Sequence, residues 1–201
     1  MAPAAPLFRF ASFSITNQIF YQSSLSLALV NLKPLVPGRA FMHALSWPLI
    51  MNGKDTDHLE DFQFADVLVI PKRVVPRFGE LTADETTDLF LSVQQVARVI
   101  EKEYKAQSMN IAVQDGALAG QSVPHVHVHL IPRRKDDFEP MDEVYTALDS
   151  ANMAADYLAR QSRTDRKKVF GVDDEDRKPR SKEVMKEEAR RLSLLFPEAN
   201  R

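Results

Sequence analysis

Two short apolar segments in the first part of the chain have the pattern of buried β-strands. Residues 25–31 alternate and then become largely apolar before the turn signals Pro34 and Pro37-Gly38. The β-branched run from Asp66 to Ile70 is stopped by Pro71. The pattern therefore predicts strands at 25–31 and 66–70.

A long amphipathic helix is predicted after the second strand. Thr82 and Glu85 have the spacing of a capping box, in which each side chain binds a backbone N–H that helix formation leaves unpaired. Apolar residues then recur at helical spacing, namely Leu89, Val93, Val96, Ala97 and Ile100. We expect a helix from Thr82 to about Tyr104 that packs one face on a sheet.

A hairpin is predicted next, from strand-like segments at 110–114 and 123–131 joined by the glycine-containing loop 115–120. Histidines alternate with apolar residues in the second segment. A strand would place His125, His127 and His129 on one face, and Val126, Val128 and Leu130 on the other.

The last fifty residues divide into a charged segment and a second amphipathic helix. Residues 151–182 are rich in charged side chains and poor in large apolar ones, which indicates a mobile linker. A helix is predicted at 183–197, with Ser181 available as its N-cap. Its apolar positions are Met185, Ala189, Leu192 and Phe196, and we expect them to dock on the body of the protein.

Composition excludes several classes of function. The 201 residues suit one domain, and a net charge of −2 argues against binding a nucleic-acid polymer. Cysteine is absent, so disulfides and thiolate metal sites are excluded. Because the sequence has no signal-peptide pattern and no long apolar run, we expect no membrane partner and a cytoplasmic location, with the nucleus as an open alternative.

The three alternating histidines indicate chemistry on phosphorus. Imidazole exchanges protons near neutral pH and, when neutral, is a competent nucleophile. Two alternatives stay open: a metal site, and an ordinary strand whose polar face carries histidine. The segment has no Cys, Asp or Glu to complete a metal site, so we expect none. Catalysis is favoured because three of the five histidines of the chain lie in this segment.

The loop before the histidines carries groups suited to binding phosphate. Gln114, Gln121 and Ser122 offer amides and a hydroxyl, and Gly120 lets backbone N–H groups approach anionic oxygens. Fixed donors of this kind stabilise the charge on a pentacoordinate phosphorus. Gln114 and Ser122 are the leading candidates.

These motifs resemble the histidine triad (HIT) family of nucleotide hydrolases and transferases. The resemblance rests on residues 114–116, 120–123 and 125–131. Segments 29–38, 77–81 and 142–145 narrow it to the fragile histidine triad branch, the diadenosine triphosphate hydrolases. It implies a HIT domain at 8–150 with an α+β fold, in which a helix packs on an antiparallel sheet that is extended across a homodimer.

The resemblance also implies a reaction, the two-step hydrolysis of diadenosine polyphosphates, P1,P3-bis(5'-adenosyl) triphosphate first, to AMP and ADP. His127 would attack the α-phosphorus and form a nucleotidyl-histidine, which water then cleaves. His129 would contact the phosphates, and His125 would orient the triad.

The same resemblance implies the remaining contacts to the substrate. Phosphate oxygens would be bound by Gln114 and by the run Gly120, Gln121, Ser122 and Val123. Asn31 would hold the ribose, unless it is only a turn residue before Lys33-Pro34. The protein itself would bind no cofactor, and any Mg²⁺ or Mn²⁺ would be carried by the substrate phosphates.

The chain departs from the family pattern at 39–65. Related proteins run from the equivalent of Pro37-Gly38 directly into a histidine and a Val-Leu-Val strand, whereas here the extra segment precedes Asp66. Neither Arg39 nor Asp66 can act as the neutral imidazole that usually supports the nucleophile. Two explanations stay open: a surface insertion or, as our hypothesis, a retained intron translated in frame, because the pattern breaks at the codon that would span the junction.

Two other functions stay open at this point. The purine nucleoside phosphoramidase branch shares the triad but usually has a shorter chain and a different loop before it. Alternatively, the protein acts as a nucleotide-loaded signalling module with weak activity, and the charged segment would then contact a partner.

Overall fold

A computed structural model of the chain describes residues 8–32, 66–135 and 180–196, together with 137, 142, 144, 145 and 148. The predicted insertion at 39–65 and the predicted linker from 151 to 179 lie outside the described residues. The helix predicted at 183–197 is observed at Lys182–Ser193, so its predicted end is wrong. No helix in the described ranges is long and apolar enough to cross a membrane.

The described residues form seven strands and two α-helices. In chain order these are β1 (Arg9–Phe10), β2 (Phe13–Ser14), β3 (Ile19–Gln22), β4 (Ser26–Val30), β5 (Val67–Pro71), α1 (Ala83–Glu103), β6 (Ser108–Val113), β7 (Val128–Arg133) and α2 (Lys182–Ser193). The strands predicted at 25–31, 66–70 and 110–114 are therefore confirmed to within about two residues at either end.

Five of the strands form one antiparallel sheet in the order β3-β4-β5-β7-β6. β1 and β2 form a separate two-stranded ribbon. β6 and β7 pair as the predicted hairpin, with Val113 opposite Val128. Because β5 lies between β4 and β7, the residues at its beginning are brought next to the histidine segment.

Helix α1 begins at the predicted capping box. The Thr82 side chain accepts from the Glu85 backbone N–H, and the Glu85 carboxylate accepts from the Thr82 backbone N–H. The expected face of α1 is buried against the sheet through Leu89, Val93, Val96 and Ile100. This arrangement confirms the predicted α+β fold, although it does not test the predicted homodimer.

Helix α2 covers the same face of the sheet beside α1. Ser181 caps it by accepting from the Val184 N–H, and Met185, Ala189, Leu192 and Phe196 pack into the core as expected. The Phe196 ring lies 5.9 Å from Phe20 and 5.1 Å from Tyr21.

The predicted linker extends too far at its end, because residues 180–182 belong to this structured region. The Arg180 N–H donates to the Leu32 carbonyl oxygen, and its guanidinium pairs with Glu188. Lys182 is the first residue of α2. These bonds and the cap offset the entropy cost of ordering the charged residues.

The two faces of the sheet have different coverings. Ala28, Val30, Val67 and Val69 face the core formed with α1 and α2. Their neighbours along the strands, Leu27, Leu29, Leu68 and Ile70, form a second apolar cluster with Phe10, Ile15 and Val123 on the opposite face. The histidine side chains lie on this second face, so both helices are on the other side of the sheet from the imidazole rings.

Candidate active site

Only the last of the three histidines belongs to a regular strand. The predicted strand at 123–131 is wrong at its beginning, because β7 starts at Val128 and residues 123–127 lie outside the ladder. The physical reason is a local change of partner: the Val126 N–H donates to the Val75 carbonyl oxygen at 2.7 Å, and the His125 N–H to Val123 at 2.7 Å.

The predicted division of side chains nevertheless holds. Val126, Val128 and Leu130 enter the core shared with the helices. The His127 and His129 rings contact each other at 5.1 Å between centroids, and Phe10 contacts both His125 and His127 on the same side. The sequence therefore predicted the shared face correctly, although only part of the segment is a strand.

His125 has both ring nitrogens engaged by the protein. Its Nδ1 accepts from the Ala11 backbone N–H at 3.1 Å, which leaves the proton on Nε2, and Nε2 donates to the Pro71 carbonyl oxygen at 2.9 Å. The ring is fully buried, and this burial lowers its pKa. A neutral ring held at both nitrogens suits orientation rather than attack.

His127 has one nitrogen engaged and one available for chemistry. Its Nδ1 lies 2.8 Å from the His125 carbonyl oxygen, so Nδ1 carries the proton and Nε2 has the lone pair. Burial, with a contribution from the neighbouring His129, lowers its pKa to about 4. At neutral pH the ring is therefore uncharged, which is the state that a nucleophilic imidazole requires.

His129 follows the same pattern with a different acceptor. Its Nδ1 lies 3.2 Å from Oδ1 of Asp66, so the Nδ1–H donates to the carboxylate and Nε2 is not used in this contact. The other carboxylate oxygen of Asp66 accepts from the Asn31 side-chain amide at 2.6 Å. Asp66 thus joins the predicted ribose-binding residue to the predicted phosphate-contacting histidine.

Phe10 lies against the histidines from the N-terminal ribbon. Its ring centroid is 5.4 Å from that of His125 and 5.3 Å from that of His127. Ala11, whose N–H holds His125, has a positive φ of 48°. The ribbon therefore contributes both an aromatic wall and a backbone donor to the site.

The loop between β6 and the histidines is tied down by Asp115. Its carboxylate accepts from the Arg77 guanidinium at 3.0 Å and from the Phe78 N–H at 2.8 Å. Gly116 has a φ of 96°, and a Cβ there would lie 3.0 Å from the Arg77 guanidinium carbon. The backbone conformation therefore favours a glycine, and a Cβ would in addition make the Arg77 guanidinium shift slightly.

Two of the predicted phosphate ligands are used inside this loop instead. The Gln121 amide accepts from the Gly116 N–H and donates to the Pro76 carbonyl oxygen. The Gly120 N–H donates to the Ala117 carbonyl oxygen, because a 3-10 turn over Ala117–Ala119 ends there. The positive φ of Gly120, 86°, ends that turn and allows the chain to reverse.

The other predicted ligands differ in what they offer. Gln114 is buried at the end of β6, and Ser122 is half-buried and has no hydrogen-bond partner among the described residues. The Val123 side chain is buried in the cluster with Phe10. Of the groups named from the sequence, the Ser122 hydroxyl is therefore available to meet a phosphate.

Within the described residues, no group of three or more His, Asp or Glu side chains is arranged to hold a metal ion. Both nitrogens of His125 and the Nδ1 atoms of His127 and His129 contact protein groups, and among the described residues the carboxylate of Asp66 contacts one histidine only.

Sequence reasoning dismissed one residue of this site and missed another. Asp66 was treated as a break in the family pattern, yet it is 1% exposed and contacts His129. A signal was present, because Asp66 directly precedes a strand that pairs with the histidine strand. Phe10 belongs to a two-residue strand far away in sequence, and no local pattern predicts its contact with the triad.

Comparison with known proteins agrees with this geometry. A profile of the HIT domain matches residues 62–136. The chain is 42% identical to the asymmetrical bis(5'-nucleosyl)-tetraphosphatase of Schizosaccharomyces pombe, over 94% of both chains. It is 39% identical to the bifunctional bis(5'-adenosyl)-triphosphatase/adenylylsulfatase FHIT of Arabidopsis thaliana, over 90% of this chain and 78% of that protein.

Solved structures show the same fold. The C. elegans NitFhit protein matches with a TM-score of 0.58 and 33% identity, over 96% of this chain and 31% of that one. Plasmodium falciparum diadenosine triphosphate hydrolase matches with a TM-score of 0.60 and 21% identity, over 98% and 88% of the two chains, which supports the fold alone. The chain therefore belongs to the histidine triad family, in its fragile histidine triad branch.

Proposed function

We propose that this protein hydrolyses dinucleoside polyphosphates through a covalent nucleotidyl-histidine, with His127 as the nucleophile. The observation that carries the proposal is the state of the His127 ring, with Nδ1–H fixed on the His125 carbonyl oxygen and the ring neutral at physiological pH. The names of the relatives, a tetraphosphatase and a triphosphatase, indicate the substrate class.

The reaction has two displacements at one phosphorus. His127 Nε2 forms a bond to the α-phosphorus while the bond to the bridging oxygen breaks, and ADP leaves from bis(5'-adenosyl) triphosphate. Water then attacks the same phosphorus, the phosphorus–nitrogen bond breaks, and AMP is released. Splitting one displacement into two in this way is the advantage of covalent catalysis.

The other residues support these steps through binding and charge. We assign the phosphate oxygens to the Gln114 amide and the Ser122 hydroxyl, because fixed donors stabilise charge that develops on phosphorus. His129 is assigned to the same phosphates, to which Nε2 donates once that nitrogen carries a proton. Asn31 is assigned to the ribose and lies beside His129 through Asp66.

Product chromatography with bis(5'-adenosyl) triphosphate and tetraphosphate tests the proposal. We expect AMP with ADP from the first and AMP with ATP from the second, and the ratio of rates gives the preferred chain length. His127→Asn should lower kcat on the order of 10⁴-fold or more while substrate still binds. In H₂¹⁸O the label should appear in AMP only. Turnover retained by His127→Asn would remove His127 from the role of nucleophile.

A divalent ion enters this proposal as part of the substrate. The polyphosphate chain carries Mg²⁺ or Mn²⁺ without protein ligands, and no resident cofactor is needed. Rates should then depend on the fraction of substrate bound to the ion. Protein dialysed against EDTA should regain full activity when Mg²⁺ is added with the substrate, whereas a lasting loss would indicate a resident metal.

We also propose that two copies pair through β6, which is one of the two edge strands of the described sheet. Its outward side chains Ile111 and Val113 are 51% and 38% exposed, and an edge strand presents unpaired backbone groups. Ile111→Lys should shift the mass measured by light scattering from dimer to monomer. Leu195→Lys, at an exposed site after α2, is the matched control. A monomeric parent protein would refute the pairing.

A further inference from the structure

Asp66 is the most deeply buried carboxylate of the site, and both of its oxygens are occupied. Oδ1 lies 3.2 Å from His129 Nδ1, and Oδ2 accepts from the Asn31 amide at 2.6 Å. The backbone takes part as well, because the Asn31 N–H donates to the Asp66 carbonyl oxygen at 3.2 Å. Asp66, which is 1% exposed, therefore lies between two side chains that we assign to substrate binding.

The contact with His129 fixes a tautomer. A carboxylate has no proton to donate, so the shared hydrogen must belong to His129 Nδ1, and in the neutral ring the lone pair is on Nε2. In the pairing of β5 with β7, Leu68 lies opposite His129, so the beginning of β5 is beside this ring. Rotation of the imidazole or transfer of its proton would break a buried hydrogen bond, which is costly.

We propose that the side chain at position 66 is a positioning residue: it holds the unliganded His129 ring as the Nδ1–H tautomer, so that Nε2 faces the substrate and donates to a phosphate oxygen once it carries a proton. This role rests on the proposed function for its effect on turnover, but the tautomer itself does not depend on any reaction. The sequence argument that only an imidazole could support the triad is thereby revised, because a carboxylate accepts the same hydrogen.

Histidine NMR tests the tautomer directly on the unliganded protein. We expect long-range ¹H–¹⁵N spectra to show His129 as the Nδ1–H form, and the Asp66→Leu variant to lose that preference. His125, protonated on Nε2, and His127, protonated on Nδ1, serve as internal controls because their partners are backbone groups. An Nε2–H tautomer of His129 in the parent protein would overturn the proposal, whatever the variants do.

Kinetics test the consequence for catalysis. Asp66→Leu should lower kcat about 10- to 100-fold with a much smaller change in KM, as loss of a residue that orients a ligating or catalytic histidine does elsewhere. Asp66→Asn should recover part of the loss, because its carbonyl oxygen can accept the hydrogen bond from His129 while its NH₂ replaces the oxygen that accepts from Asn31. Asp137→Leu removes another buried carboxylate, one paired with Arg133 outside the site, and should leave kcat unchanged.

These outcomes separate the positioning role from the proposed function. An inactive parent protein with His129 in the Nδ1–H form would refute the function and keep the positioning. A parent that hydrolyses the substrate, and an Asp66→Leu variant that retains its kcat and the tautomer, would refute the positioning alone. Thermal unfolding of each variant distinguishes loss of the fold from loss of the contact.

The same position carries a second inference, from the genetic code. Spliceosomal introns begin with GT and end with AG. Arg39 permits the codon CGT, in which the GT that would begin the intron follows a C. Ala65-Asp66 permits GCA-GA(T/C), in which the AG that would end the intron is followed by A(T/C). Removing the intron joins the C of the Arg39 codon to the A(T/C) of the Asp66 codon, which gives CA(T/C), a codon for histidine. The frame is preserved because both halves belong to one codon.

We infer that the segment between these half-codons is an unspliced intron, and that the spliced product has histidine where this chain has Asp66. Thr56-Asp57 also permits ACT-GAC, which contains CTGAC, a sequence of the kind at which an intron branch forms. In the spliced product Gly38 would be followed by this histidine and then Val67. Its ring nitrogen would take the place of the Asp66 carboxylate as the acceptor for His129.

Sequencing the gene and its mature transcript tests this inference. We expect CGT for Arg39, GCA for Ala65, and a message in which one histidine codon replaces the whole segment. Any other codon at either position, or a mature message that retains the segment, would overturn it. In the chain with the segment retained, Asp66→His should keep the Nδ1–H tautomer of His129, because the ring nitrogen of the new histidine would accept the same hydrogen bond.

Discussion

The Nδ1–H of His127 donates to the carbonyl oxygen of His125 at 2.8 Å, so the backbone of one histidine orients the ring of another. His125 is itself held at both nitrogens, by the Ala11 N–H and the Pro71 carbonyl oxygen. The free nitrogen of His127 is therefore directed by a chain of buried bonds that begins outside the histidine segment. This dependence makes the site sensitive to changes that never touch the reacting atoms.

The pH dependence of turnover should report the neutral state of His127. Burial lowers the pKa of this ring to about 4, below the ordinary value of 6.5, so the nucleophile stays unprotonated until the solution is strongly acidic. We expect kcat/KM to remain flat from neutral pH down to about pH 5 and to fall toward pH 4, because kcat/KM reports groups of the free enzyme.

The pH profile of kcat/KM needs a control for unfolding of the protein. Buried neutral histidine also makes stability fall with acidification, since the unfolded state binds a proton near pH 6.5 that the folded state does not bind until about pH 4. Circular dichroism at each pH separates unfolding from titration of the nucleophile. A fall in kcat/KM centred near pH 6.5 in a folded protein would contradict the assignment.

Replacement of His125 should damage stability and turnover together. His125→Ala removes the acceptor for Ala11 and the donor to Pro71, and leaving buried partners unpaired costs about 1–3 kcal/mol. We expect a lower midpoint in urea and a lower kcat, with less effect on KM. His125→Gln, whose amide can still donate to Pro71, should lose less of both. Equal effects of the two variants would argue against the orienting role.

The fold could be predicted from sequence where local patterns and the core agree. The capping box of Thr82 and Glu85 and the apolar spacing after it determine α1, because they act within the helix and on the face that packs on the sheet. The strands before Asn31 and after Asp66 were predicted for the same reason. The beginning of the histidine strand was not, because Val126 pairs with Val75, a partner that no local period reveals.

The site was predictable only in part, for a related reason. The shared face of the histidines follows from their alternation, and the loop was correctly placed before them. The tautomers depend on Asp66, Ala11 and Pro71, which are distant in sequence. The family pattern directed attention to Gly120 and Gln121, yet the turn over Ala117–Ala119 engages their polar groups inside the loop.

The conformation of the loop before the histidines should tolerate no side chain at Gly116. Gly116→Ala would place a Cβ 3.0 Å from the Arg77 guanidinium in a backbone with a φ of 96°. We expect a loss of about 1–3 kcal/mol in the free energy of unfolding and a higher KM for the polyphosphate. Gly79→Ala is the matched control, since a Cβ there meets nothing within 4 Å. Equal behaviour of the two variants would contradict this account.

Acid should remove the stabilisation that Glu85 gives to the beginning of α1. The Arg73 guanidinium, 2.7 Å away, and the Thr82 N–H lower the pKa of Glu85 to about 2, well below its ordinary value of 4.5. A carboxylate with a depressed pKa stabilises the fold above its unfolded pKa, and this contribution is lost as the pH falls through about 2. Because Arg73 is half-exposed, Glu85→Gln should cost only about 1 kcal/mol at neutral pH.

In urea titrations the difference in unfolding free energy between Glu85→Gln and the parent should shrink between about pH 5 and pH 2, while a control variant at an exposed position, Glu101→Gln, shows no difference at any pH. A gap between Glu85→Gln and the parent that stayed constant over this range would show that the carboxylate charge is not what stabilises the helix.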